Sequence, residues 1–290
     1  MLFLSQVVAS GLTLGSIYAL TALGFATIFR ATGVVNFAQG ELMMIGAMTA
    51  LLLHKGFALA YLPSLVLSVA ACAVLGLVVE RVAYRPLLRA PIFTVILSTV
   101  AVGQMLRSGV RAVRGQEVSL FPAMFDTTPF DWHGLHLTWM NVGVVAVVLV
   151  VLAAFLAFFR WTRLGWAMRA TAQNKEAAAL VGVSVPRVFS ISWAISAGLA
   201  AAAGILLAPL IVITPDMGVV GIKGFIAAIL GGFNSLPGAV VGGFLLGIVE
   251  NLAGVYVSSA FKDVVTFAML LFVLTVRPAG ILGHPETTRA

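Results

Sequence analysis

The residues of this chain that could do chemistry are few, and most of them are set in apolar sequence. Glu41 closes the stretch Val35-Asn36-Phe37-Ala38-Gln39-Gly40-Glu41, just after a tight Thr32-Gly33 turn. Glu250 stands next to Asn251 in a second glycine-bearing apolar run. A carboxylate in lipid costs roughly 2.5–3.5 kcal/mol even on the lenient insertion scale. Each glutamate is therefore expected to turn into the protein, protonated or paired. Two roles stay open for both: capping free N–H groups at a helix start near the cytoplasmic surface, or lining a polar path or gate. A third stretch, Thr214-Pro215-Asp216 to Lys223-Gly224, interrupts the hydrophobic pattern with proline and glycine. Broken backbone at membrane depth is tolerated where it lines a cavity or is buried in protein, and helix starts there can face a substrate carboxylate. A plain extracellular turn is the alternative. Leu230 to Gly238, with Asn234 and Pro237, is a turn by composition. Its Asn234–Gly238 spacing repeats that of Asn36–Gly40, a faint sign of duplicated halves. Asn36, Gln39, Glu41, Asp216, Lys223, Asn234 and Glu250 are the candidates for a pathway or gate.

A different kind of site lies in Met168–Gly182, a polar, basic island carrying Arg169, Lys175 and Glu176-Ala177-Ala178, with Gly182 four residues after Ala178. Long charge-free runs flank it. A membrane protein that keeps a helical, partly amphipathic loop of this kind on one face most often docks it onto a soluble partner. The loop extends over about 161–187.

These residues must be positioned by membrane helices. The chain has 290 residues, 61% hydrophobic and 9% charged, with a mean hydropathy of +1.10. A water-facing shell cannot be built from that composition. About 20 apolar residues make one spanning helix. Charge-free runs cover 1–29, 56–79, 90–106, 132–159, 188–215 and 224–249, with shorter ones at 42–53, 251–261 and 264–276. Transmembrane strands would alternate at period two, and these runs do not. The expected fold is all-α, a polytopic membrane helix bundle of eight or nine spans forming one domain over 1–290.

Seventeen Lys/Arg against ten Asp/Glu would suggest nucleic-acid binding in a soluble protein. In a membrane protein the excess holds loops on the cytoplasmic side, so no nucleic acid is expected. With the basic loop inside, Arg160, Arg163, Arg169, Lys175 and Arg187 are cytoplasmic. Counting back puts Arg81, Arg85 and Arg89 inside, Lys55 outside, Arg30 inside and the N-terminus outside. Arg107, Arg111 and Arg114 fall outside against the rule, and read as side chains snorkelling to lipid phosphates. If 218–233 spans fully, there are nine helices, Arg277 and Arg289 are inside, and Lys/Arg divide 11 to 6. If it is re-entrant, there are eight and the division is 10 to 7; the nine-span version fits better. The first run lacks a basic leader and is too long for a signal sequence, so it reads as a retained helix.

Gly11, Gly15 and Ala19 at four-residue spacing make a groove for close helix packing, and Gly238/Gly242 and Gly243/Gly247 repeat the device. They identify no substrate. Cys72 is the single cysteine and gives no sign of metal or redox chemistry. His54, His133, His136 and His284 read as surface residues. The sequence has no phosphate loop ending in Gly-Lys-Ser/Thr, so ATP would have to be bound elsewhere. It also has neither a His-Glu-x-x-His pair nor a Gly-x-Ser-x-Gly elbow. Two embedded acids would also suit an ion- or proton-coupled secondary carrier of small amino acids. Basic or histidine partners in the same spans would strengthen that reading, and none lies there. A polytopic membrane enzyme would need catalytic groups clustered at one depth, and none is visible.

Over nearly its whole length the chain resembles the permease subunit of the branched-chain amino-acid (Liv-type) ABC importer family. The most specific part is Gly11-Leu-Thr-Leu-Gly-Ser-Ile-Tyr-Ala-Leu-Thr-Ala-Leu-Gly24 followed by Asn36-Phe-Ala-Gln-Gly-Glu41. The Met168–Gly182 loop, the glycine-rich 218–250 region and Arg277-Pro-Ala-Gly280 also resemble it. Of the two permeases in such systems, the chain is similar to the shorter, H-type subunit. Permeases of bacterial ATP-driven importers carry Glu-Ala-Ala, three residues and then Gly on the loop that meets the nucleotide-hydrolysing subunit, and Glu176 to Gly182 matches. The departure is Pro186, which closes the loop without the wider motif's Ile-x-Leu-Pro ending. The resemblance implies a sister permease, two cytoplasmic ATPase subunits that hold ATP and Mg, and an extracytoplasmic substrate-binding protein. This chain would bind no cofactor and perform no catalysis. It would lie multi-pass in the bacterial cytoplasmic membrane and move leucine, isoleucine, valine or related small amino acids inward by alternating access.

Overall fold

The computed structural model describes residues 2–88, 90–115, 118–132 and 135–283. Arg89, His133, His284 and Arg289 lie outside the described residues.

Apolar runs of sufficient length produce the long helices, because lipid leaves a backbone no partner but itself. They are α1 (Leu2–Thr32), α3 (Tyr61–Val79), α4 (Ile92–Arg114), α5 (Trp139–Trp161), α8 (Val185–Leu207), α10 (Leu236–Tyr256) and α11 (Lys262–Val276). With their helical extensions, seven segments among the described residues are long and apolar enough to cross a membrane. Two shorter helices account for the difference from the expected eight or nine: α2 (Gln39–Leu51) and α9 (Val220–Gly231). The charge-free run 224–249 is not one span, since the turn at 232–235 divides it between α9 and α10. The basic island folds as α6 (Arg163–Gln173) and α7 (Lys175–Leu180). The polar segment before α5 holds a small antiparallel hairpin, β1 (Pro129–Trp132) and β2 (Leu135–Thr138), the one departure from an all-α chain among the described residues.

Packing gathers into two compact units, residues 1–26, 123–149 and 222–290, and residues 27–122 and 150–221. In the first, α1 and α10 run antiparallel and almost backbone to backbone. A Cβ at Gly11 would lie 2.9 Å from Ile248 Cα, and one at Gly15 2.9 Å from Phe244 Cα. The four-residue glycine spacing thus serves close packing. The chain after α11 folds back, with the Ile281 and Leu282 N–H groups donating to the carbonyls of Leu230 (2.8 Å) and Gly231 (3.0 Å). That bonding satisfies carbonyls at the end of α9.

In the second unit α8 is the buried axis, with α2 and α3 packed along it. Gly46 and Gly76 let the flanking helices approach Ala201 and Ala197. The decisive feature is where α2 begins. The chain leaves α1 at Gly33, where φ is +80°, and runs as six non-helical residues before α2. Gln39, the first residue of α2, is bonded both ways to Ser196, at the middle of α8 (3.0 and 3.1 Å). The N–H of Phe37 donates to Thr99 Oγ1 (3.1 Å), two turns into α4. α2 therefore starts beside the middle of α8 and two turns into α4.

Candidate functional site

Asn36, Gln39 and Glu41 come together at the start of α2. Asn36 Oδ1 accepts from the Ala38 N–H (3.0 Å), and Glu41 lies in the first turn. Glu41 does not cap the helix. It accepts from Arg107 of α4 at 2.6 Å. The other terminal nitrogen of Arg107 lies 3.8 Å from Asp216, which also accepts from Arg111 at 2.6 Å. Arg107 and Arg111 are thus partners of carboxylates and do not snorkel to lipid. A buried carboxylate draws a guanidinium that is one turn from the next.

Asp216 reaches this cluster because Pro215, Met217 and Gly218 are buried. The segment is therefore no plain surface turn. Ile213 pairs with Ser119 through two backbone bonds of 3.0 Å. A 3-10 turn, Met217–Val219, then leads into α9. A Cβ at Gly40 would run into the Gly218 carbonyl, and one at Gly221 into Gly40. The starts of α2 and α9 meet there through glycines, with Glu41 beside Gly218.

In the other unit, Glu250 accepts from Lys223 at 2.6 Å, and Lys223 also pairs with Asp263 of α11 at 2.9 Å. Asn251 donates to the Val7 carbonyl (2.6 Å), joining α10 to α1. Both embedded glutamates therefore have basic partners, supplied by other helices and so invisible within their own spans. Asn234 is exposed in the turn between α9 and α10 and takes part in neither network. Its surroundings differ from those of buried Asn36, so the shared spacing places the two asparagines in unlike environments.

The basic loop is built by caps. Thr162 accepts from the Gly165 N–H (3.0 Å) to start α6, and Asn174 from the Ala177 N–H (2.9 Å) to start α7. Glu176 sits in the first turn of α7, where the helix dipole favours an acid. Gly182 has φ +87°, and the Gly182 and Val183 N–H groups close α7 on the Ala179 and Ala178 carbonyls. A left-handed residue ending a helix is the usual glycine cap. Nothing lies within 4 Å of a Cβ there, so conformation and not crowding demands glycine. Ala178 is buried, while Glu176, Ala177, Leu180 and Val181 are exposed. Arg169 lies over the Trp166 ring (4.8 Å).

Lys175 connects this loop to the site above. Its ammonium donates to the Thr32 carbonyl at the end of α1 (2.8 Å) and lies over the Phe189 ring of α8 (5.7 Å). Partial burial lowers its pKa from the usual lysine value. Thr32 is followed directly by the extended segment that leads to Asn36 and Glu41. One participant escaped sequence reading: Glu80, at the end of α3, is buried and bonded to Arg85 (3.1 Å) and Ser190 of α8 (3.0 Å). It was hidden because it closes a charge-free run and reads as the first loop residue. An acid five residues before Arg85 was the available signal.

Residues 7–274 match the sequence family described as "Branched-chain amino acid transport system / permease component". The chain is 35% identical over 302 residues to the high-affinity branched-chain amino acid transport system permease protein LivH of Escherichia coli, covering 99% of this chain and 98% of that one. It is 35% identical over 301 residues to the permease protein BraD of Pseudomonas aeruginosa, with the same coverage. It is 30% identical over 286 residues to a probable LivH of Methanocaldococcus jannaschii, covering 92% and 89%. Matches of that length and identity, on a bundle of apolar helices, mean that this multi-pass membrane chain belongs to the family of branched-chain amino acid transport permease components.

Proposed function

We propose that the chain is a transmembrane subunit of an ABC importer in the bacterial cytoplasmic membrane, moving branched-chain amino acids inward by alternating access. In this reading the whole chain, 1–290, works as one permease domain beside a sister permease. Two ATPase subunits carry ATP and Mg at the α6–α7 loop, and an extracytoplasmic binding protein delivers substrate. The nine-segment topology fits best if α2 and α9 cross only part of the bilayer. Three of its six outer cations, Arg107, Arg111 and Lys223, are then held by carboxylates.

The observation that carries the reading is the Lys175–Thr32 contact. It ties α7 to the end of α1, from which the chain enters the segment that holds Glu41. Motion of a partner against exposed Glu176, Ala177, Leu180 and Val181 would pull on that segment through Lys175. The substrate assignment rests on the family. The chain's scarcity of charge suits a compact, partly apolar solute better than a polyanion or a sugar. The test is uptake of labelled leucine, valine, urea and short amides in cells with and without this gene, with its native binding protein. Loss of leucine and valine uptake supports the reading. Loss of only urea or amide uptake would overturn the substrate and leave the importer architecture standing.

A further inference from the structure

Along the chain of contacts in the second unit, exposure of the charged side chains rises step by step: 8% for Glu41, 17% for Arg107, 39% for Arg111 and 56% for Asp216. Exposed charges on a spanning helix are costly against lipid. The Arg111–Asp216 end therefore faces water or another subunit. One cation and one carboxylate stand there 2.6 Å apart.

The cluster is also unbalanced in a specific direction. Asn36 Nδ2, Arg107 Nε and Arg111 Nε are buried without a hydrogen-bond partner, and Asn36 is fully buried. All three are donors. A site with a surplus of donors takes a ligand that brings acceptors. A guanidinium receives a carboxylate through parallel bonds, and a freed Asp216 can accept from an ammonium.

Resting on the importer reading, we propose that Arg111 and Asp216 read the zwitterionic head of the amino acid in transit. The substrate carboxylate goes to Arg111 and its ammonium to Asp216. The exchange replaces one ion pair by two, so no net charge is buried. Without substrate, the two side chains hold each other as a neutral pair. Arg107 stays with Glu41 and anchors the exchange.

The complete complex, with its partner subunits and binding protein in proteoliposomes, provides the test through R111Q, D216N and the double variant. Each single change should lower leucine uptake about tenfold, the scale of one charge-assisted hydrogen bond. ATP hydrolysis stimulated by loaded binding protein should persist. The two losses should multiply in the double variant. If the residues serve only each other, the double variant will transport no worse than the poorer single one, and that outcome overturns the proposal. A second measurement needs no variant. With only this subunit's arginines 15N-labelled, 13C-carboxyl leucine should show a guanidinium dipolar contact in the trapped complex, and its absence also overturns the proposal. Failure of the unaltered complex to take up any amino acid with ATP would instead defeat the importer reading.

Discussion

Each unit of the molecule buries a glutamate that a cation from another segment answers, beyond which lies a more exposed aspartate. Glu41–Arg107–Asp216 and Glu250–Lys223–Asp263 share that pattern and differ in the cation. Arg107 presents a rigid fork that reaches both acids, and Arg111 supplies a second positive charge, so the four groups are neutral together. Lys223 offers one ammonium to two carboxylates, leaving one negative charge in excess among three groups. Arginine fixes directions, whereas lysine supplies a point charge that can move between partners. The first cluster lies where the starts of α2 and α9 meet through glycines, whereas the second ties the first turns of α9 and α11 to Glu250 of α10. The Glu41 cluster is accordingly built for geometry and the Glu250 cluster for holding helices α9, α10 and α11 together.

The largest expected effect comes from breaking the stiffer pair. R107M strands a buried carboxylate and should destabilise the protein by about 3–5 kcal/mol, read by thermal unfolding in detergent. E41Q combined with R107M should recover most of that loss. K223M should cost less, because Asp263 is 71% exposed and the Tyr18 hydroxyl also lies beside Glu250. A larger cost for K223M than for R107M would reverse the comparison.

How much of this was readable beforehand follows from what each residue does. Long helices were legible because an apolar run of sufficient length has one outcome in lipid. Glu41 and Glu250 stood out because a carboxylate in such a run needs a reason. The partners were not legible. Arg107 is 66 residues from Glu41 in sequence, and an arginine near a helix end has a sufficient local explanation in snorkelling. Arginines where the expected topology disfavours them, in a chain whose acids stand in apolar runs, were the signal that could have paired them. The start of α2 beside the middle of α8 left no mark either, since a helix start looks alike wherever it lies. The basic loop was legible as helical and polar, but its contact with Thr32 depends on tertiary structure.

A smaller effect separates charge from shape. E41Q and E250Q keep the side-chain outline, and at least one should lower ATP-driven uptake in membranes that contain normal amounts of the protein. Normal uptake by both would make the carboxylates structural. The comparison also expects E41Q to be the more damaging to uptake.

Smaller still is the backbone term at Gly182. A valine there must adopt a left-handed conformation, costing about 1–2 kcal/mol, and should uncouple uptake while leaving the protein in the membrane. Asparagine, which tolerates that conformation, should retain more uptake than valine although its side chain reaches farther. Equal loss by both would mean that side-chain bulk at a docking surface, and not the cap, is what matters.

The central claim is that the loop reaches the Glu41 site through Lys175. It is tested most directly by the ratio of substrate imported to ATP hydrolysed in reconstituted complexes carrying K175M. Removing the ammonium eliminates the bond to the Thr32 carbonyl and keeps an apolar stem against Phe189. Loss of a charged hydrogen bond predicts a fall in that ratio of about tenfold, with hydrolysis itself little changed. An unaltered ratio, with the variant fully assembled, would contradict the account.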